Sequence, residues 1–232
     1  MLDSISYANE NITTIAIGNF SKSQITSIIP KNWTPLTFES ITNHTDYYLT
    51  RENNKTIFKA VSNNSASGYI HKVSIDPKEF PILSWDWKVD NLIAKADINT
   101  KSGDDYPARI YISFAYDVAR LKNWEKLKVN AYYLANGEYP PLAVLNYVWD
   151  NKQPIGYSIP NAYTNHVRML VAQSGEKNVG KWVAQRVNIY QDYIRIFGET
   201  PGKITAIAIM TDTDNTKESA TAYYGDILLS KF

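Results

Sequence analysis

The chain has 232 residues, enough to bury a substantial core in one large domain or two small ones. Its 24 basic side chains against 23 acidic ones argue against a nucleic-acid-binding surface, which usually carries a basic excess. With no cysteine there is no disulfide framework, thiolate metal site or cysteine nucleophile.

The start, MLDSISYANENITT, has neither the basic nor the apolar segment of a secretion signal. The expectation is a cytosolic chain, or a mature one from which a signal was removed. No apolar run reaches the roughly 20 residues of a membrane helix. Seventeen tyrosines and six tryptophans suit half-buried, pleated surfaces.

Short alternating or apolar runs predict strands at 13–17, 47–51, 56–61, 68–75, 83–89 and 108–116. Five more follow at 143–149, 167–173, 182–189, 203–210 and 221–229. Turn clusters separate them, among them NN at 53–54, SGDD at 102–105 and NGEYPP at 136–141. Two helices are expected, DVARLKNWEKLKVNAYYL (117–134) and YQDYIRIFG (190–198), the second ended by Gly198. Eleven strands at this spacing predict an all-β fold, a two-sheet antiparallel β-sandwich or jelly roll with one or two short inserted helices. No Pro-, Gly- or Ser-rich linker divides the chain, so one domain over 1–232 is expected.

In LSWDWKV, alternation puts Trp85 and Trp87 on one face and Ser84, Asp86 and Lys88 on the other, which reads as a core strand. KSGDDYPARIYISF (101–114) gathers Lys101, Asp104, Asp105 and Arg109 at the entry to an apolar strand. There Arg109, Tyr111 and Ser113 share one face, and Ala108, Ile110, Ile112 and Phe114 the other. An arginine so placed either ties down the preceding loop or holds a sugar or anion through bidentate contacts. NYVW and PNAYTNHVR add Asn146, Tyr147, Trp149, Asn165, His166 and Arg168, side chains of the kind that recognise polar small molecules. In MTDTDNTKES (210–219), Asp212, Asp214 and Asn215 offer the oxygen donors that calcium prefers. Alone they are too few for a full shell, so further oxygens would come from Asp226 or from Asp104 and Asp105. An Asx-rich turn with no metal is the competing reading. No phosphate loop, nucleophile elbow or zinc-protease motif occurs.

Several of these segments, in order, resemble the DUF3047 family of bacterial domains. They are GDDYPARIYISF, LNYVW, NAYTNHVRMLVAQSG, GKWVAQRVNIYQDYIRIFGETP and AIAIMTDTDNTKESATAYYGDI, and the likeness runs from about Trp33 to Ile227. Members usually begin with a secretion signal, so the resemblance implies a periplasmic or secreted protein; it implies no catalytic residues. A looser likeness links WVAQRVNI, ITAIAIM and YYGDI to galactose-binding-like jelly rolls. In those modules an aspartate of the last strand, by position Asp226 here, contributes to a structural calcium site. Three functions follow as expectations. The first is a non-catalytic envelope protein that binds carbohydrate or another polar small molecule, with a structural calcium. The second is a glycoside hydrolase using Asp104 or Asp105 with Asp212 or Asp214, or a polysaccharide lyase using Tyr147 or His166 with Arg168. The third is an assembly protein with no small ligand.

Overall fold

The computed structural model describes residues 13–25, 29–137 and 139–232. Residues 1–12, which bear on the leader expectation, and Glu138 of the NGEYPP turn lie outside that set. All eleven expected strands form, with ends within two residues of expectation. They are β1 (Thr14–Gly18), β3 (Asp46–Glu52), β4 (Lys55–Asn63), β5 (Ala66–Ile75), β6 (Ile82–Val89) and β7 (Arg109–Phe114), then β8 (Val144–Asp150), β10 (Val167–Ser174), β11 (Val183–Asn188), β12 (Ile204–Asp212) and β13 (Ser219–Ser230). Two three-residue strands were not expected, β2 (Thr34–Leu36) and β9 (Ser158–Pro160), being too short to display a period. The helices are α1 (Asn123–Asn136) and α2 (Ile189–Phe197).

Two sheets pack face to face. The first runs β11-β6-β13-β4-β3, and β1 pairs with the second half of β13 beyond the end of β4. The second runs β2-β5-β12-β7-β8-β10-β9. Among the described residues, pairing is antiparallel except between β8 and β10, which are parallel. That departure has a plain cause: residues 151–166 form a crossover that carries β9 to the outer edge of β10, and no hairpin joins β8 to β10. The Asn53–Asn54 pair does form the expected hairpin turn, with φ of 47° and 63° between Glu52 and Lys55. Gly198 ends α2 at φ 73°, and Asn188 caps its start by accepting the Gln191 N–H.

Alternation sorts the side chains. Trp85 and Trp87 of β6 meet Tyr147 and Trp149 of β8 between the sheets, with ring centroids 5.3–5.9 Å apart. Ile110, Ile112 and Phe114 join them from β7, and Ile207 and Ile209 from β12. Lys88, on the opposite face of β6, binds Glu52, and its ammonium lies 4.0 Å from the Tyr223 ring. β8 is buried along its whole length. Its outer face is covered by a second small core in which Val148, Met169 and Val171 pack under Ile98 and Tyr106 of the 90–108 connection. Beyond Tyr106, the outer faces of β5, β12 and β7 form the more open half of that face and line a groove.

Candidate functional site

The site grows from the first residue of β7. Arg109 lies opposite Met210 of β12 and Val148 of β8, on the face away from the main core. Only 3% of it is exposed, so its five N–H groups need internal acceptors. Nε donates to Asp212 Oδ1 at 2.7 Å, and Nη2 donates to Asp212 Oδ2 and to the Asp104 carbonyl. Nη1 donates to the Tyr111 hydroxyl at 3.1 Å and lies 3.6 Å from the Asp104 carboxylate. The Tyr106 ring stacks 4.5 Å from the guanidinium carbon.

Asp105 is fully buried beneath this pair and accepts the N–H groups of Asn215 at 3.2 Å and Thr216 at 2.6 Å. It thereby fastens the SGDDYPAR segment to the loop that follows β12. Carboxylate oxygens of Asp105, Asp212 and Asp214 lie within 4.8 Å of one another, close enough to hold a metal ion. Burial pushes the Asp212 carboxyl up, Arg109 opposes this, and Asp105 adds to it. Asp214 is raised by the same two causes, burial first and Asp105 second.

These groups stand at one end of a cleft of about 660 Å³ on the open half of the second sheet. Ile70, Ala208 and Met210 form its floor, and Leu36, Phe38 and Ile41 one wall. Asp104, Arg109, Tyr111, Asn161, Tyr163 and Asn215 supply the polar groups. Asn161 donates to the Asp104 carboxylate at 3.0 Å, and Asn215 donates to the Tyr163 hydroxyl at 3.2 Å. An apolar floor with a few convergent polar side chains is the usual make-up of a small-molecule site.

Of the residues expected to bind a ligand, Asp104 and Arg109 line this cleft, and Asp105 lies behind it. Asp212, Asp214 and Asn215, expected around a metal, line it as well. The others lie elsewhere, for reasons of register. Asn146 is on the same face but fully buried, with Nδ2 against the Met169 sulfur at 3.3 Å. Tyr147 and Trp149 alternate to the inner face, where the Tyr147 hydroxyl donates to Asp192 at 2.7 Å. Arg168 is also on the inner side of its strand, 5.8 Å from the Phe197 ring. Asn165 is exposed in the turn before β10. Tyr147 and Arg168 thus lie behind the sheet, so the lyase pairings that use them fall outside this cleft. Asn161, Tyr163 and Tyr111 were passed over, although Tyr111 shares the Arg109 face and the other two belong to PNAYTNHVR.

Asp226 is on the other sheet, which corrects its place in a metal shell. A bulge in β13, between Tyr224 and Ile227, sets Gly225 and Asp226 opposite Asp86. There Asp226 accepts the N–H and hydroxyl of Ser21, at 2.8 and 2.6 Å. A smaller cleft of about 410 Å³ opens beside them, bordered by Trp182 and Lys55. Burial raises the Asp86 carboxyl above its ordinary 3.8, with Lys55 opposing and Asp226 adding. A raised folded-state carboxyl stabilises most below the unfolded value, and that contribution is lost as pH climbs through the folded one. Asp86→Asn is therefore expected to raise the melting temperature at pH 7 and leave it unchanged near pH 3. Thermal melts across that range check the sign.

The fold and the cleft define a class: a two-sheet β-sandwich with an open, polar-rimmed groove on one sheet. The chain belongs to the family described as "Protein of unknown function (DUF3047)", whose profile matches residues 31–228. A search of curated proteins returns no match. Among solved structures, the chain is similar to the glycoside hydrolase domain of Endo-D from Streptococcus pneumoniae R6, at 7% identity and TM-score 0.37, over 86% of this chain and 21% of that one. It therefore spans about a fifth of that protein's length. It is also similar to a point mutant of a carbohydrate-binding module of family 29, at 8% identity and TM-score 0.38, over 95% of this chain and 92% of that one.

Proposed function

We propose that this chain is a non-catalytic carbohydrate-binding protein whose ligand lies in the cleft of the second sheet. The observation that carries the reading is the convergence of Arg109, Asp104, Asn161, Asn215 and two tyrosines on one apolar floor. A sugar ring has apolar C–H faces and a rim of hydroxyls that donate and accept. The floor and tyrosine rings suit the faces, while the carboxylate and amide groups, held in place by Arg109, suit the rim. Arg109 and Asp212 are held on a sheet by buried partners, so the polar groups pay little ordering entropy on binding.

A structural calcium belongs to the same proposal. Asp105, Asp212 and Asp214 keep oxygen lone pairs beyond those used by Arg109 and by backbone N–H groups. Calcium takes about six to eight oxygens, so backbone carbonyls or water would complete the shell. An envelope location is included too, on the secretion signal that the family resemblance implies; fractionation of expressing cells tests it.

Affinity-gel electrophoresis over a panel of polysaccharides, with and without added calcium, tests the central reading. At least one polysaccharide is expected to retard the protein, and Tyr163→Ala to weaken that retardation roughly two- to tenfold, in line with about 0.5–1.5 kcal/mol for one ring. No retardation by any polymer sinks the reading; retardation indifferent to calcium removes the ion from it. One observation favours a hydrolase on the same cleft, namely the closeness of Asp105, Asp212 and Asp214. Arg109 and backbone N–H groups occupy the first two, which leaves Asp214 as the acid. Release of reducing ends from the retarding polymer, abolished by Asp214→Asn, would establish that alternative.

A further inference from the structure

The smaller cleft, of about 410 Å³, opens on the outer face of the first sheet, on the far side of the sandwich from the cleft beside Arg109. Register builds it. Tyr224 and Ile227 both point into the core, so unbroken alternation would turn Asp226 inward with Tyr224. The bulge adds a residue at that point and turns Asp226 out, the re-aiming of a side chain for which bulges are used. Gly225 keeps the space clear, since a Cβ there would lie 3.1 Å from the Asp86 Cβ and 3.6 Å from the Trp182 ring. Val183 pairs with Trp87 and packs inward, so Trp182 before it turns outward, 5.7 Å from the Lys88 ammonium. Ile57 alternates to this face, opposite to Phe58, and is nonetheless buried against the cleft.

The polar groups divide into those already engaged and those still open. Ser21 holds Asp226 in place through two hydrogen bonds, and Lys88 holds one oxygen of Glu52. The other Glu52 oxygen is buried with no partner among the described residues, and Asp86 accepts no hydrogen bond from any of them. Lys55 and Asn53, at the hairpin turn, supply donors at the rim. Hydroxyl donors would satisfy the open carboxylate oxygens, while the Trp182 ring and Ile57 suit an apolar C–H face. Glu52, Asp86 and Asp226 outnumber Lys55 and Lys88, which disfavours an acidic polymer.

We propose that this cleft is a second carbohydrate site, for an uncharged polysaccharide, and that the protein is bivalent, with one site on each outer face of the sandwich. The class of ligand rests on the carbohydrate reading of the first cleft; the place of the second site does not. Sites that face opposite ways across two sheets about 10 Å apart engage two polymer strands more readily than one, so the protein bridges them.

Light scattering of dilute galactomannan, xyloglucan and mixed-linkage β-glucan, titrated with the protein, tests the proposal beside affinity electrophoresis in the same polymers. Scattering is expected to rise for at least one polymer that retards the protein, and to stay flat for polygalacturonate. Trp182→Ala should weaken retardation roughly two- to tenfold and abolish the rise in scattering. Asp86→Ala should act in the same direction, and because Asp86 is exposed its melting curve should not fall. Retardation lost in Trp182→Ala but kept in Tyr163→Ala would support the second site and count against the first. Retardation without scattering, unaltered in Trp182→Ala and Asp86→Ala, overturns the proposal and leaves the first cleft standing. No retardation of the unaltered protein by any polymer overturns both.

Discussion

Arg109→Met is expected to cost about 3–5 kcal/mol of stability, the usual result of removing one partner from a buried ion pair. The guanidinium is 3% exposed and engages Asp212 through two donors, so its loss leaves a buried carboxylate without its counter-charge. The damage spreads beyond that pair. Asp104 loses the donor to its carbonyl, and Asp105 and Asp214 lose the positive charge that opposes their mutual repulsion. Arg109→Lys should fall between, because an ammonium is a point charge and cannot reproduce the fork. The combined Arg109→Met, Asp212→Leu variant should recover much of the loss, since an apolar pair carries no desolvation cost. Urea denaturation of the three variants decides the matter. A single-variant loss below about 1 kcal/mol would mean that the pair behaves as a solvated surface bridge.

The second large effect separates the core from the cleft. Trp149→Ala should lower stability by about 3–5 kcal/mol through the cavity it leaves beside Trp87. In a chain of this length that corresponds to a fall of roughly 6–20 °C in melting temperature. Below its own midpoint, the variant should still bind whatever the cleft binds, because Trp149 points to the inner face. Tyr163→Ala should do the reverse. Its ring is 53% exposed, and among the described residues its hydroxyl bonds to the Lys101 carbonyl and the Asn215 amide, so the melt moves little while binding falls. If Trp149→Ala abolished binding with an unchanged melt, the assignment of the two faces would be wrong.

The architecture was legible because alternation is a local property. Ile110, Ile112 and Phe114 against Arg109, Tyr111 and Ser113 is a period of two that any antiparallel sheet must respect, and the tryptophans of LSWDWKV obey it as well. Turn chemistry is equally local, as Asn53–Asn54 and Gly198 show by taking left-handed conformations at the expected positions. The same period placed Trp149 and Tyr147 on the face opposite Asn146, but not which face would be core; that depends on the partner sheet. Exposed-looking aromatics of NYVW were thus assigned to a ligand although both lie between the sheets.

What the sequence determined by itself is the eleven longer strands, their turns, the presence of two helices and the alternation of side chains along each strand, all of which follow from backbone geometry and neighbours in the chain. Tertiary structure alone decided that Asp105 joins Asp212 and Asp214, more than a hundred residues further along the chain, through the adjacency of β7 and β12. It also sent Asp226 to the other sheet, through a bulge in β13, and paired β8 with β10 in parallel. Sheet order is a long-range choice among many pairings of similar local energy, settled by how the whole core packs. The site inherits its composition from that choice.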